Sequence, residues 1–149
     1  MLPINHPIRA EHMQELAPEQ IDTLVQHAIN ARQMAYAPHS QFDVGAAVWI
    51  PEGAIVTGCN VENASYGLTI CAERAAICTA VNEGYQQFQA IAIATAGGAS
   101  PCGACRQFLS EFRCDLQVIM VDVLTGARQI RRLSQLLPDA FDADNLPIH

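Results

Sequence analysis

The sequence predicts an α/β fold, a mixed sheet held between helices as a three-layer α/β/α sandwich, formed by a single domain over residues 1–149. Three observations predict it. Segments 89–95 (QAIAIAT) and 116–123 (LQVIMVDV) are apolar on both alternating faces, as central strands covered on each side are. Residues 44–50 and 54–58 are short apolar runs flanking Pro51-Glu52-Gly53, which is hairpin turn chemistry. Helical patterns stand before, between and after these strands, so helices are available to cover both faces.

In chain order, Ile21, Leu24, Val25, Ala28 and Ala35 fall at helical spacing and predict a first helix from Pro18 to Tyr36. Pro18 suits a first-turn position and Pro38 helps to end the helix. The hairpin follows. Residues 70–83 are rich in Ala, Glu and Arg and stop before Gly84, as a helix with a glycine after its end does. The two central strands enclose another helix over 103–113, and a short C-terminal helix follows. No internal repeat, low-complexity tract or Pro/Gly/Ser linker divides the chain.

Composition narrows the function. At 149 residues the chain can bury a real core, and half of it is apolar against 15% charged, which excludes disorder. No apolar run approaches the roughly 18 residues that cross a bilayer, so no membrane partner is expected. The first twenty residues carry no export pattern, which makes a cytoplasmic protein the expectation. All eight basic residues are Arg and the formal net charge is −7, so no long-range field draws in nucleic acid. Six cysteines in such a chain point to a metal before a disulfide framework.

Their spacing carries the chemistry. Cys71-Ala72-Glu73 is followed, 27 residues later, by Pro101-Cys102-Gly103-Ala104-Cys105. A catalytic zinc commonly takes three protein ligands at thiolate distances of about 2.3 Å and keeps its fourth corner for water, and Cys71, Cys102 and Cys105 meet that count. Each falls at or beside a predicted helix start, where unpaired N–H groups and the positive dipole end stabilise a thiolate. Cys78 lies about 10 Å of axial rise beyond Cys71 and cannot share the ion, so it reads as core. Cys59 and Cys114 read as small buried thiols, although Cys59 would complete a four-cysteine structural site. None of the five histidines is assigned to zinc. Three thiolates leave the site at net −1, and Arg74 or Arg106, each next to a site residue, would offset that charge by hydrogen-bonding a sulfur, Arg74 the better placed. Glu73, two residues from a ligand, reaches the water corner without coordinating, as a general base must.

With those residues in place, the chain resembles the short homotetrameric cytidine deaminases. The resemblance runs from Ala35-Tyr36-Ala37-Pro38 and Ser40-Gln41-Phe42-Asp43-Val44-Gly45-Ala46-Ala47, through Gly58-Cys59 and the stretch NVENASYG leading into CAER, to Leu136-Leu137-Pro138-Asp139-Ala140-Phe141. It implies the three-layer sandwich and one Zn2+ per chain. It implies that Asn60 and Glu62 hold the ribose 3′-hydroxyl, that Phe42 packs on the pyrimidine while also serving the core, and that backbone around Ala72 faces the base. Ala64, Tyr66 and Phe141 would then enter a neighbouring subunit's site in a homotetramer. His39, Asp43 and Trp49 depart from what the family leads one to expect.

The reaction implied is hydrolytic deamination of cytidine and 2′-deoxycytidine to the uridines in pyrimidine salvage, with zinc-activated hydroxide attack at C4, Glu73 moving the protons and ammonia leaving. A deaminase of a related aminopyrimidine nucleoside or antibiotic would share the zinc chemistry. A structural zinc or thiol-redox module would explain the cysteines but gives Glu73 and the NVEN loop no role.

Overall fold

The computed structural model describes residues 14–112 and 114–147, so His6, His12 and His149 lie outside the described residues. Helix α1 (Pro18–Arg32) is followed by strands β1 (Gly45–Trp49) and β2 (Ile55–Cys59), helix α2 (Ala72–Asn82), strand β3 (Ala90–Thr95), helix α3 (Gly103–Ser110), strands β4 (Gln117–Asp122) and β5 (Arg128–Arg132) and the short helix α4 (Leu133–Leu136). The strands form one sheet in the order β2-β1-β3-β4-β5. β3 and β4 run parallel and the other neighbours antiparallel, which makes the expected mixed sheet.

Strand parity builds the three layers, since successive side chains point to opposite faces. In β3, Ala90, Ala92 and Ala94 face α1, where Leu24, Val25 and Ala28 complete one apolar cluster with Ala47, Ile119 and Val121. Ile91 and Ile93 face the other way, against Ala76, Ile77 and Ala80 of α2, Leu109 of α3 and Leu133 of α4. Alanines on the α1 face let that helix lie close. A Cβ on Gly45 would stand 2.0 Å from the Ala28 carbonyl oxygen.

Three expectations need correction. α1 ends at Arg32, about one turn short of Tyr36, because Tyr36 leaves the helix to pair as an isolated parallel bridge with Val61. Its N–H donates to the Asn60 carbonyl (2.9 Å) and its carbonyl accepts from Glu62 N–H (2.8 Å), and the proline two positions on disfavours helix there. Strand β5 is absent from the expected order: Arg-Gln-Ile-Arg-Arg is exposed almost throughout, so it has no apolar alternation to betray it. Cys78 is exposed on α2 and does not belong to the core.

The approach of α2 to the sheet fixes the site. A Cβ on Gly58 of β2 would lie 2.3 Å from the Ala76 backbone nitrogen and 2.7 Å from the Ala72 carbonyl oxygen, so only glycine lets the first turns of α2 rest there. Gly58→Ala is therefore expected to cost about 1–3 kcal/mol of unfolding free energy, as overpacking does. Thermal and denaturant unfolding would show it, and unchanged stability would mean that α2 shifts freely.

Candidate active site

Cys71 and Cys102 are the N-cap residues of α2 and α3, and neither side chain caps its own helix. Both thiols are thus left free where two helix N-termini meet. Cys105, one turn into α3, is buried, and the three sulfurs lie within 4.8 Å of one another. Sulfurs held at about 2.3 Å around a tetrahedral zinc stand about 3.8 Å apart, and the Cys71 and Cys102 sulfurs are 4.0 Å apart. The donor set and its spacing fit one zinc ion. Cys59 is outside the cluster, its thiol donating to the Met34 carbonyl at 3.4 Å, so the four-cysteine arrangement does not form.

The electrostatics agree with a cation site. A hydrogen bond from Cys105, joined by the Arg74 guanidinium, outweighs burial and lowers Cys71 to about 5. Cys105 is held well above the ordinary thiol range by donating to Cys71 and by burial. Arg74 Nη2 donates to the Cys71 sulfur at 3.4 Å, and its buried Nε has no partner. Among the described residues Arg106 hydrogen-bonds no sulfur. Its guanidinium bonds the Pro101 and Leu136 carbonyls and the Ser100 hydroxyl.

These groups open onto a cavity of about 510 Å³ where the start of β1 meets the end of β3. Glu73 lines it and is only 5% exposed. Burial, with the Cys71 charge adding to it, raises the Glu73 carboxyl above its ordinary range. Ala72 is fully buried beside it. Phe42, Asn60, Glu62, His39, Ser40 and Tyr66 form the facing wall. Phe42 presents part of its ring to the cavity and is not core. The Asn60 side chain braces this wall, its amide donating to the Phe42 carbonyl (2.8 Å) and its oxygen accepting from Val44 N–H (2.9 Å). Glu62 accepts from the Ser40 hydroxyl (2.7 Å) and the Ser40 N–H (3.1 Å). Burial pushes the Glu62 carboxyl up, but the Ser40 bonds and the His39 charge prevail and hold it below its ordinary value.

The other sequence-derived candidates separate. Tyr66, 76% exposed, stands on its own chain's cavity wall with its ring 6.0 Å from that of His39, which was not expected of a residue destined for a neighbour. Ala64 and Phe141 are exposed and line no part of this cavity. Of the three departures from the family pattern, His39 alone reaches the cavity; Trp49 packs on the α1 side of the sheet, and the Asp43 carbonyl accepts from Arg32. Sequence reading gave no role to Ser40, Thr95 or Ser100, which line the cavity. Thr95 is 1% exposed and takes the Ala99 N–H at 2.7 Å. Strand parity would have found it, because a polar side chain occupies the inward position after Ile91 and Ile93.

Residues 18–121 match the family of the cytidine and deoxycytidylate deaminase zinc-binding region. A cytidine deaminase of Halalkalibacterium halodurans is 44% identical over 125 residues, covering 83% of this chain and 95% of its own. One from Sporosarcina psychrophila is 41% identical over 128 residues, covering 85% and 94%. The crystal structure of cytidine deaminase from Burkholderia pseudomallei superposes with a TM-score of 0.77 at 45% identity, covering 80% of this chain and 98% of that one. With its three-thiol cluster inside the matched region and this likeness over most of its length, the chain belongs to the cytidine and deoxycytidylate deaminase zinc-binding family.

Proposed function

We propose that this protein is a zinc-dependent hydrolytic deaminase that converts cytidine and 2′-deoxycytidine to uridine and 2′-deoxyuridine with release of ammonia. The observation that carries it is one cavity lined by Cys71 and Cys102 of the three-thiol cluster, with Cys105 buried behind them, and by the buried Glu73 together with Phe42, Asn60 and Glu62. Cys71, Cys102 and Cys105 hold the metal, and Arg74 offsets the thiolate charge at Cys71. Zinc, when bound, supplies a Lewis acid that brings the pKa of water towards about 7. The Glu73 carboxylate would carry both protons of the attacking water in turn, one to N3 as the C4–O bond forms and the second to the amino nitrogen as the C4–N bond breaks and ammonia leaves. Phe42 offers a ring face to the base, and Ala72 backbone borders it.

Glu62 is suited to a ribose hydroxyl because its carboxylate is kept charged and oriented by Ser40 while retaining free lone pairs. Glu62→Ala is expected to lower kcat/KM by roughly ten- to a hundredfold with zinc retained. Steady-state kinetics beside metal analysis would check it, and an unchanged kcat/KM would remove the sugar contact.

Among the described residues no Arg or Lys lines the cavity, and its acids Glu62 and Glu73 oppose a phosphate dianion, which supports a nucleoside over a nucleotide. The deciding experiment is ammonia release from cytidine, deoxycytidine, deoxycytidylate and free cytosine. Turnover of the nucleosides with poor use of the other two supports the reading; none with any nucleoside overturns it.

We further read the chain as one cytoplasmic domain that assembles as a homotetramer. Tyr36, Val61 and Ile70 are joined by backbone bridges and exposed together, with Tyr66 and Leu68 nearby in the chain, an apolar face suited to a second copy. Ala64 and Phe141, free of their own cavity, are the residues offered to a neighbour's site. No helix among the described residues is long and apolar enough to cross a membrane. Activity per chain should fall as the assembly is diluted apart, measured by light scattering and assay on one sample; a fully active monomer would refute shared sites.

A further inference from the structure

We propose that Arg106 is a positioning residue that fixes the Cys102 half of the zinc site by clamping the β3–α3 loop onto α3 and α4, an inference that rests on the zinc reading above. Residues 96–102 must carry the chain from the end of β3 into the first turn of α3, and Gly97 and Gly98, both at positive φ, follow Ala96 at their start. Two adjacent glycines give such a loop little stiffness of its own. The structure supplies external ties. Asp122 Oδ1 accepts from Gly97 N–H at 2.9 Å and Thr95 Oγ1 from Ala99 N–H at 2.7 Å, which fixes the start of the loop on the sheet.

At the end of the loop, where Cys102 begins, Arg106 supplies the side-chain hydrogen bonds to Ser100 and Pro101 among the described residues. Nε donates to the Pro101 carbonyl (2.8 Å), Nη2 to the Ser100 hydroxyl (2.8 Å) and Nη1 to the Leu136 carbonyl at the end of α4 (2.7 Å). The Pro101 carbonyl belongs to the peptide that enters Cys102, so its orientation sets where the Cys102 sulfur points. Ser100 lines the cavity, so the same fork also sets one patch of the pocket wall. A planar guanidinium satisfies three acceptors in fixed directions; an ammonium at the same place is a point charge and does not. The pattern separates the two arginines beside the cysteines: Arg74 acts on sulfur charge, and Arg106 on backbone geometry.

The test is zinc release to a chromophoric chelator from the zinc-loaded protein, comparing the parent with Arg106→Gln, Arg106→Lys and Ser100→Ala. Outer-shell partners typically contribute ten- to a hundredfold to metal affinity, so both Arg106 variants should release zinc at least about tenfold faster. Ser100→Ala, which removes one arm of the fork and leaves Arg106 in place, should move the same way by a smaller factor. In the Co2+-substituted protein, the thiolate-to-metal charge-transfer band should shift in the Arg106 variants. Ile119→Val, a trimmed core residue on the opposite face of the sheet, controls for general loss of stability and should leave release and spectrum unchanged. Rescue by Arg106→Lys would mean that charge, not the fork, is what matters, and would overturn the proposal. So would parent-like release from Arg106→Lys and Ser100→Ala, which keeps the proposal open to refutation if Arg106→Gln fails to fold. A parent protein that binds no zinc at all would instead defeat the zinc reading itself.

Discussion

Glu73→Gln is expected to retain one zinc per chain and its fold while losing roughly 10²- to 10⁴-fold in kcat, the range that a positioned general acid–base group contributes. The amide fills the same volume in a nearly closed position, so packing around Ala72 and Ala76 is preserved. It cannot accept a proton, so water activation and the return of protons to N3 and the leaving nitrogen fail together. Binding of cytidine should change far less than turnover, because the ground state asks less of this residue than the reaction does. The pH profile gives a second reading. Burial raises the Glu73 carboxyl in the metal-free chain and a bound dication opposes that rise, so the sign of the limb is set by the carboxylate's role: the parent should lose activity through protonation of Glu73 as pH falls. That acid limb should vanish from the residual rate of the variant. Near-parental kcat in zinc-loaded Glu73→Gln would end the assignment.

How much of this could be read beforehand depends on what each residue had to satisfy. Strands buried on both faces had to be apolar at every position, so β3 and β4 were legible within a residue or two. β5 answers to no core: its Arg128 and Arg132 reach Asp22 and Glu15 across the surface, and such pairs leave no periodic trace. The zinc cluster was legible because the cysteines sit at two predicted helix starts, and Cys71 and Cys102 do occupy the N-cap positions of α2 and α3. Arg106 was not. Its acceptors at Pro101 and Leu136 are backbone carbonyls, which carry no sequence signature, so adjacency to Cys105 suggested a sulfur partner where the fold provides a loop. Gly58 was likewise silent, since the need for hydrogen in place of a side chain arises only once α2 is laid across β2.

Cys102→Ala should lose most of its zinc and, with it, nearly all activity. Loss of an outer-shell partner alone costs ten- to a hundredfold in affinity, so removal of a thiolate from a three-sulfur set should exceed about a hundredfold. The remaining cysteines cannot substitute. Burial pushes Cys114 up to about 11, so it stays a neutral thiol near neutral pH, and it packs with Phe88 and Phe112 in the core cluster below α2 and α3. Cys59 is committed to the Met34 carbonyl. Cys78 is exposed along α2, two turns beyond the helix start that holds Cys71. Cys78→Ala and Cys114→Ala should therefore keep both metal and turnover, which separates ligand loss from the general effect of removing a thiol. Metal analysis after dialysis, with circular dichroism to confirm the fold, distinguishes the outcomes. Full zinc retention in folded Cys102→Ala would show that the ion sits elsewhere, and zinc loss in Cys59→Ala would revive a four-cysteine structural site. With the Cys71 and Cys102 sulfurs 4.0 Å apart and lining one open cavity with the buried Glu73 carboxyl, the three sulfurs would hold the metal and leave it a position for water.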